Sequence, residues 1–319
     1  MLDQKPELSM DDMFEGKYRD TQIGALLEKY RLPIRTDLLG GYASYTPAQL
    51  KKHYELEVSL ADRIRCSSKE ERGSLYTEVY DRLFQEIPYH PQLQRKTNPE
   101  ERLAAVRRTA AQLRRYLDKD DIFLEIGPGD CLLSFEMAKY AKKVYAVDVS
   151  EEITKNRNIP DNFELILSDG SSIDVPENSV KLAYSNQLLE HLHPDDAKYQ
   201  LHQIYRALSP GGVYYFVTPH KFNGPTDVSR FFDEEARGLH IKEYSLSGVY
   251  DLLGAAGFEK VTLPRRVFGA SMEIPLFLSL VLEKRIKNMS QEKRRQKYHS
   301  FKRLLDIRVV ATKLGGAPV

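Results

Sequence analysis

Between Asp121 and Cys131 the chain reads Asp-Ile-Phe-Leu-Glu-Ile-Gly-Pro-Gly-Asp-Cys, a carboxylate, Glu125, followed by a turn that holds Gly127 and Gly129. Without a Cβ, glycines at such a turn let backbone N–H groups approach a bound molecule closely. A second carboxylate, Asp148, ends the next apolar run, Val144–Val147. An acid at the tip of the second strand of a βαβ unit is placed to accept hydrogen bonds from both hydroxyls of a ribose. The stretch therefore reads as a nucleoside-binding strand–turn–helix–strand. The dinucleotide fingerprint Gly-x-Gly-x-x-Gly is not met, because Leu132 stands at its third glycine.

The elements that must position these residues are legible around them. Ile122–Ile126 is a short apolar strand, and Leu133, Met137, Tyr140 and Ala141 recur at helical spacing after the turn. Further strands are expected at Phe163–Leu167, Val180–Tyr184, Val213–Val217, Lys260–Leu263 and Ile307–Thr312. A helix from about Asp196, with Leu201, Ile204, Tyr205 and Leu208 inward, lies between the fourth and fifth. Strands alternating with helices at this spacing predict an α/β fold with a doubly wound, mostly parallel, Rossmann-like sheet.

Upstream, Thr46-Pro47 with Gln49, and Ser68 with Glu71, are capping-box signatures that open two helices, the second with Leu75, Val79 and Leu83 on one face. Ile87-Pro88-Tyr89-His90-Pro91 is a connection, and Asn98-Pro99-Glu100-Glu101 starts a third helix through about Leu117. The expected organisation is an N-terminal arm over 1–45, a helical cap over 46–97, and an α/β domain over 98–319 that carries an insertion at 267–305. Tyr76, Tyr80 and Phe84 of the cap fit a cover over an acceptor pocket and equally a plain core stripe.

The chain of 319 residues has 47 Lys and Arg against 46 Asp and Glu, so no global charge draws it toward nucleic acid. Its length suffices to bury roughly three quarters of the unfolded surface. Two cysteines, Cys66 and Cys131, form no pair pattern, and no apolar run reaches the roughly eighteen residues of a membrane span. With a polar start and no signal-peptide core, a cytoplasmic protein is expected.

The glycine stretch resembles motif I of the class I S-adenosylmethionine-dependent methyltransferases, Glu/Asp-x-Gly-x-Gly-x-Gly, with Cys131 in place of the third glycine. From about Arg102 onward the order of motifs is similar to the type 11 members: Asp169 after the third strand, Asn186–His191 after the fourth, Leu208-Ser209-Pro210-Gly211-Gly212 before the fifth, then His240-Ile-Lys-Glu-Tyr and Ala255-Ala256-Gly257-Phe258. The resemblance implies a seven-stranded methyltransferase sheet and S-adenosyl-L-methionine as cofactor. It implies that Glu125, Gly127 and Gly129 hold the methionine end and that Asp148, with Val149, holds the ribose. Asp169, Gly170 and Ser171 would hold the adenine, and Asn186 would complete the site.

On the acceptor side, an oxygen nucleophile must lose a proton as the methyl arrives, and histidine suits that near neutral pH. His191, His193 and His220 at strand ends, and His240 in a later loop, are the candidates. Each also fits a structural imidazole. Gln187, Glu190 and His191 share one helix face at i, i+3 and i+4. Ubiquinone-pathway and small-RNA 3′-end methyltransferases, which this run resembles, hold a divalent ion through Glu-x-x-Glu-His. With neutral Gln187 in the first position no metal is expected here.

The insertion begins apolar at Ile274–Leu278 and becomes strongly basic through Lys284–Arg303. A lid or subunit-contact helix with a solvated cationic face is the expected role. Peripheral membrane contact through 274–303, an acidic partner and a phosphate-bearing substrate are the alternatives. The sequence thus points to a methyltransferase acting on a small-molecule acceptor, with oxygen preferred and nucleic acid not expected. Its rivals are an RNA or lipid- or glycan-linked acceptor, and a non-catalytic binding module that keeps the fold.

Overall fold

A computed structural model describes residues 42, 45–94, 99–154, 158–267 and 270–315. Most of the expected arm, and the Asn98 start of the third helix, lie outside the described residues. Both capping boxes form. Thr46 accepts from the Gln49 amide and Gln49 returns the bond at the head of α1 (Pro47–Cys66), and Ser68 and Glu71 do the same for α2 (Lys69–Glu86). Each satisfies two amides that a helix start leaves without partners. The third helix, α3 (Pro99–Leu113), ends earlier than its sequence suggests and finishes in a 3₁₀ turn at Arg114–Tyr116.

Among the described residues the sheet has eight strands rather than seven: β1 (Ile122–Ile126), β2 (Lys143–Asp148), β3 (Phe163–Leu167), β4 (Val180–Asn186), β5 (Leu208–Thr218), β6 (Lys260–Val267), β7 (Ala270–Pro275) and β8 (Ile307–Thr312). Their order is β3-β2-β1-β4-β5-β8-β6-β7. The first five are parallel, and β8, β6 and β7 join antiparallel. The additional strand is β7, whose residues the sequence reading had placed in the insertion. Ile274 and Pro275 form a short apolar run whose period cannot distinguish strand from helix. In the structure they pair with Leu263 and Thr262 at the sheet edge.

Within the parallel half, β1, β2, β4 and most of β5 are buried on both faces, as βαβ crossovers require, while the edge strand β3 is half-exposed. One core joins Leu124, Ile126, Val147, Tyr214 and Phe216 of the sheet to Leu60, Ile64, Leu75, Tyr76 and Val79 of α1 and α2. A second packs Phe123, Val144, Leu182 and Tyr215 against Leu113 of α3 and Met137 of α4 (Leu132–Met137). The two N-terminal helices thus share a core with the sheet. Among the described residues, no helix is long and apolar enough to cross a membrane.

Candidate functional site

The strand order reverses between β1 and β4, and open α/β sheets bind ligands beyond the carboxyl ends of the strands at such a point. Gly127, Gly129, Asp148, Asp169 and Asn186 all lie at or just past those ends. Gly129 has φ +63°, and a Cβ built on it would meet nothing within 4 Å, so the space beside that turn is open. Glu125 lies beneath the turn. It is buried and accepts from Ser134 Oγ of α4 at 2.5 Å, and burial raises its pKa to about 8. Arg102 of α3 pairs with Asp130, fixing the loop from the other side.

Asp148 Oδ1 accepts the Ser150 amide at 3.1 Å. Burial raises its pKa against the pull of the Ser150, Val149 and Gly129 amides. Val149 packs against the main core. Asp169 Oδ1 collects the Ser171 amide (2.8 Å), the Ser172 amide (2.7 Å) and Ser171 Oγ (3.1 Å). Burial alone would raise this acid too, but the serine bonds hold it below the ordinary carboxylate value. Gly170 touches the cap: a Cβ there would fall 2.7 Å from Cδ2 of Tyr76. Tyr76 donates to Asp196 at 2.7 Å and accepts the His193 amide at 2.9 Å, and Arg72 pairs with the same Asp196 at 2.6 Å. The loop that bears Asp169 is therefore clamped under α2.

The structure sorts the four histidines. His193 caps α5 (Pro194–Ala207), its Nδ1 accepting the Asp195 amide at 3.3 Å. His220 is fully buried, and both its ring nitrogens are engaged. Nδ1 accepts the Phe222 amide at 3.0 Å, so Nε2 carries the proton and donates to Glu283 at 2.9 Å. His240 Nδ1 lies 2.8 Å from Glu243. Burial would lower its pKa, but Glu243, Asp227 and Glu190 together raise it to about 9 and hold the ring as a cation. In His191, Nδ1 lies 2.9 Å from the carbonyl of Leu239. A carbonyl only accepts, so Nδ1 bears the hydrogen and the lone pair is on Nε2. Burial, reinforced by the charge on His240, lowers its pKa to about 3 and keeps it neutral.

Gln187, Glu190 and His191 do not share a helix face. Gln187 leaves β4 with φ +55° and is exposed, and only Leu189–His191 form a 3₁₀ turn, with Glu190 fully buried. The left-handed residue rotates Gln187 away, which a spacing argument that assumes continuous helix cannot foresee. Glu190 instead converges with His191 and His240, their ligand atoms all within 4.8 Å of one another. Glu190 Oε2 accepts from Thr218 at 2.8 Å, Oε1 has no hydrogen-bond partner, and burial raises the pKa to about 7.

Sequence reasoning missed a neighbouring network. Glu57 of α1 accepts the Leu239 amide at 3.1 Å, and its Oε1 lies 2.7 Å from His53 Nε2 and 3.7 Å from His90 Nε2. Tyr45 Oη donates to the Tyr89 carbonyl and lies 3.3 Å from His53 Nδ1. His90 Nδ1 accepts the Gln92 amide, which leaves its proton on Nε2, toward Glu57. Burial would raise Glu57, but the bonds from His53 and His90 lower it well below the carboxylate range. The ligand atoms of His53, Glu57 and His90 all lie within 4.8 Å of one another. The i, i+4 spacing of His53 and Glu57 was a readable signal, but Asp227 and Glu243 gave none. Tyr80 stands 6.0 Å from the His191 ring and Phe84 5.3 Å from that of His90, and both pack against the main core.

Residues 124–216 match the family model of a methyltransferase domain. Among curated relatives, ribosomal RNA small subunit methyltransferase A of Clostridium acetobutylicum is 39% identical over 75 residues, 21% of this chain and 27% of that protein. Phosphoethanolamine N-methyltransferase 1 of Triticum aestivum is 30% identical over 114 residues, 34% of this chain and 23% of the relative. The chain thus spans about a quarter of the length of these relatives. An S-adenosylmethionine dependent methyltransferase from Mesorhizobium loti superposes with TM-score 0.42 at 16% identity, covering 63% of this chain and 96% of that one. Phosphoethanolamine N-methyltransferase 2 of Haemonchus contortus, in complex with S-adenosyl-L-methionine, gives 0.40 at 17%, covering 65% and 53%. The matched stretch runs from the glycine strand to the fifth strand, so over residues 124–216 the chain is similar to a methyltransferase domain, in line with the type 11 resemblance of its motifs.

Proposed function

We propose that this protein moves a methyl group from S-adenosyl-L-methionine to a hydroxyl of a small molecule, with His191 as the proton acceptor. The observation that carries the reading is the His191–Leu239 hydrogen bond, which fixes the tautomer and leaves the Nε2 lone pair available on a neutral ring. The open space at Gly129 and the carboxylates of Asp148 and Asp169 at the ends of β2 and β3 fit the cofactor. The Gly127–Gly129 turn over Glu125 would hold its methionine end, Asp148 and Val149 its ribose, and Asp169–Ser171 with Asn186 its adenine side. The bound sulfonium supplies a methyl open to in-line displacement, so the chain's own work is positioning, water exclusion and proton removal.

As the acceptor oxygen bonds to the methyl carbon and the carbon–sulfur bond breaks, the hydroxyl becomes strongly acidic. A weak base then suffices, and Nε2 of His191 takes the proton. Tyr80 beside His191, with Glu190 and His240 behind it, forms a buried setting suited to a small molecule. His220 and His240 fit positioning roles: one fastens the end of β5, and the other supplies a fixed positive charge beside His191. Two cysteines without a disulfide, one buried and one exposed, agree with a cytoplasmic setting.

The test is a labelled-methyl screen against metabolite pools, followed by kinetics of His191→Ala on the acceptor found. A kcat roughly 10²–10⁴-fold lower, with calorimetric affinity for the cofactor unchanged, is expected. Labelling confined to amines or to RNA, or full turnover by the variant, would overturn the reading.

A further inference from the structure

The helix α7 (Leu276–Lys287) is built inside out. Its inward positions are Leu276, Ser279, Glu283 and Ile286, and its outward positions include Phe277, Leu278 and Val281. Phe277 and Leu278, 69% and 62% exposed, are the most exposed large apolar side chains among the described residues. Rotation cannot hide them. Glu283 is pinned by His220 at 2.9 Å and by the amides of Leu246 (2.6 Å) and Ser247 (2.9 Å) at the head of α6 (Leu246–Ala256). Ser279 Oγ is buried without a partner on the same inner face, so the fold keeps polar atoms inside while apolar ones face out.

The outward stripe continues at helical spacing into Lys284 and Arg285, both exposed. They open a cationic stretch, residues 284–303, which holds nine Lys and Arg against one acid, Glu292. In a chain of 47 basic and 46 acidic residues, that leaves the remainder at −7. Apolar side chains that end in a basic turn, on a helix too short to span a bilayer, are the arrangement that seats a helix in the interface of an anionic membrane.

We propose that α7 docks this protein on an anionic lipid surface, with Phe277, Leu278 and Val281 in the acyl boundary and Lys284 and Arg285 at the head groups. Nucleic acid would answer the charge but not the exposed aliphatic residues, and a second copy would meet its own cations. The proposal does not depend on the acceptor or on turnover.

The experiment is flotation of the full chain with phosphatidylcholine vesicles, with and without phosphatidylserine, beside Phe277→Glu/Leu278→Glu and Lys284→Glu/Arg285→Glu. Both pairs are exposed, and an unchanged melting midpoint confirms folding. Binding at least about tenfold stronger to the serine-lipid vesicles, weakened by salt and lost in either variant, is expected. The proposal falls if the wild type does not float, or if binding survives Phe277→Glu/Leu278→Glu. It falls equally if sedimentation shows a dimer that this variant dissociates, or if the basic stretch shifts RNA in a gel while ignoring vesicles.

Discussion

The rings of His191 and His240 stand edge to face with centres 4.9 Å apart, one neutral and one charged. Opposite environments separate two like groups: a carbonyl faces the first and a carboxylate the second. Divergent protonation states in adjacent side chains mark groups that can share proton traffic, one as acceptor and one as fixed charge.

The first prediction concerns stability against pH. The folded pKa of His240 is raised to about 9 from 6.5, so its pairing stabilises the fold fully below pH 6.5, and that contribution is lost as pH rises through 9. The shift corresponds to at most about 3 kcal/mol. Denaturant melts of wild type and His240→Gln should therefore differ most at pH 6 and converge above pH 9. Parallel curves across that range would show that the Glu243 pair is not the cause.

Asp148→Ala should weaken cofactor binding more than tenfold in calorimetry, because a single carboxylate would lose its bonds to both ribose hydroxyls. Hydrogen bonds to a charged group contribute roughly 1.5–3 kcal/mol each. Equal affinities would remove Asp148 from the site.

At Gly170, φ is +90° and Tyr76 already fills the place of a Cβ. Gly170→Ala should destabilise the protein by about 1–3 kcal/mol through backbone strain and the clash. Adding Tyr76→Ala should recover the clash but not the strain, so a double-mutant cycle would show favourable coupling. Strictly additive losses would mean that α2 does not clamp this loop.

His220→Gln takes one of three donors from the buried Glu283 carboxylate, and losing a hydrogen bond to a charged group costs about 1.5–3 kcal/mol. The expected outcome is a lower unfolding midpoint, with kcat of the folded fraction close to wild type. A large loss of kcat at unchanged stability would move His220 into the chemistry.

Chelation should leave activity unchanged. A cationic His240 offers no lone pair at the nitrogen it gives to Glu243, and Gln187 is turned away from Glu190. Activity lost to a chelator and restored by magnesium would overturn this.

The sheet's parallel half, the glycine turn, the two acids beyond β2 and β3 and both capping boxes were legible because each is a local matter. Period-two and helical patterns, glycine's freedom and side-chain-to-backbone caps act over a few neighbouring positions. The sequence also offered the four histidines together, of which the structure brings His191 and His240 into contact. It could not rank them. Whether an imidazole is a base, a cap or a cation depends on what faces its nitrogens. Those partners, Leu239, Phe222 with Glu283, and Glu243, come from separate segments with no periodic signature. The exposed face of α7 was hidden for the same reason: its apolar residues looked like core until Glu283, bound to His220 and two distant amides, fixed which side turned inward.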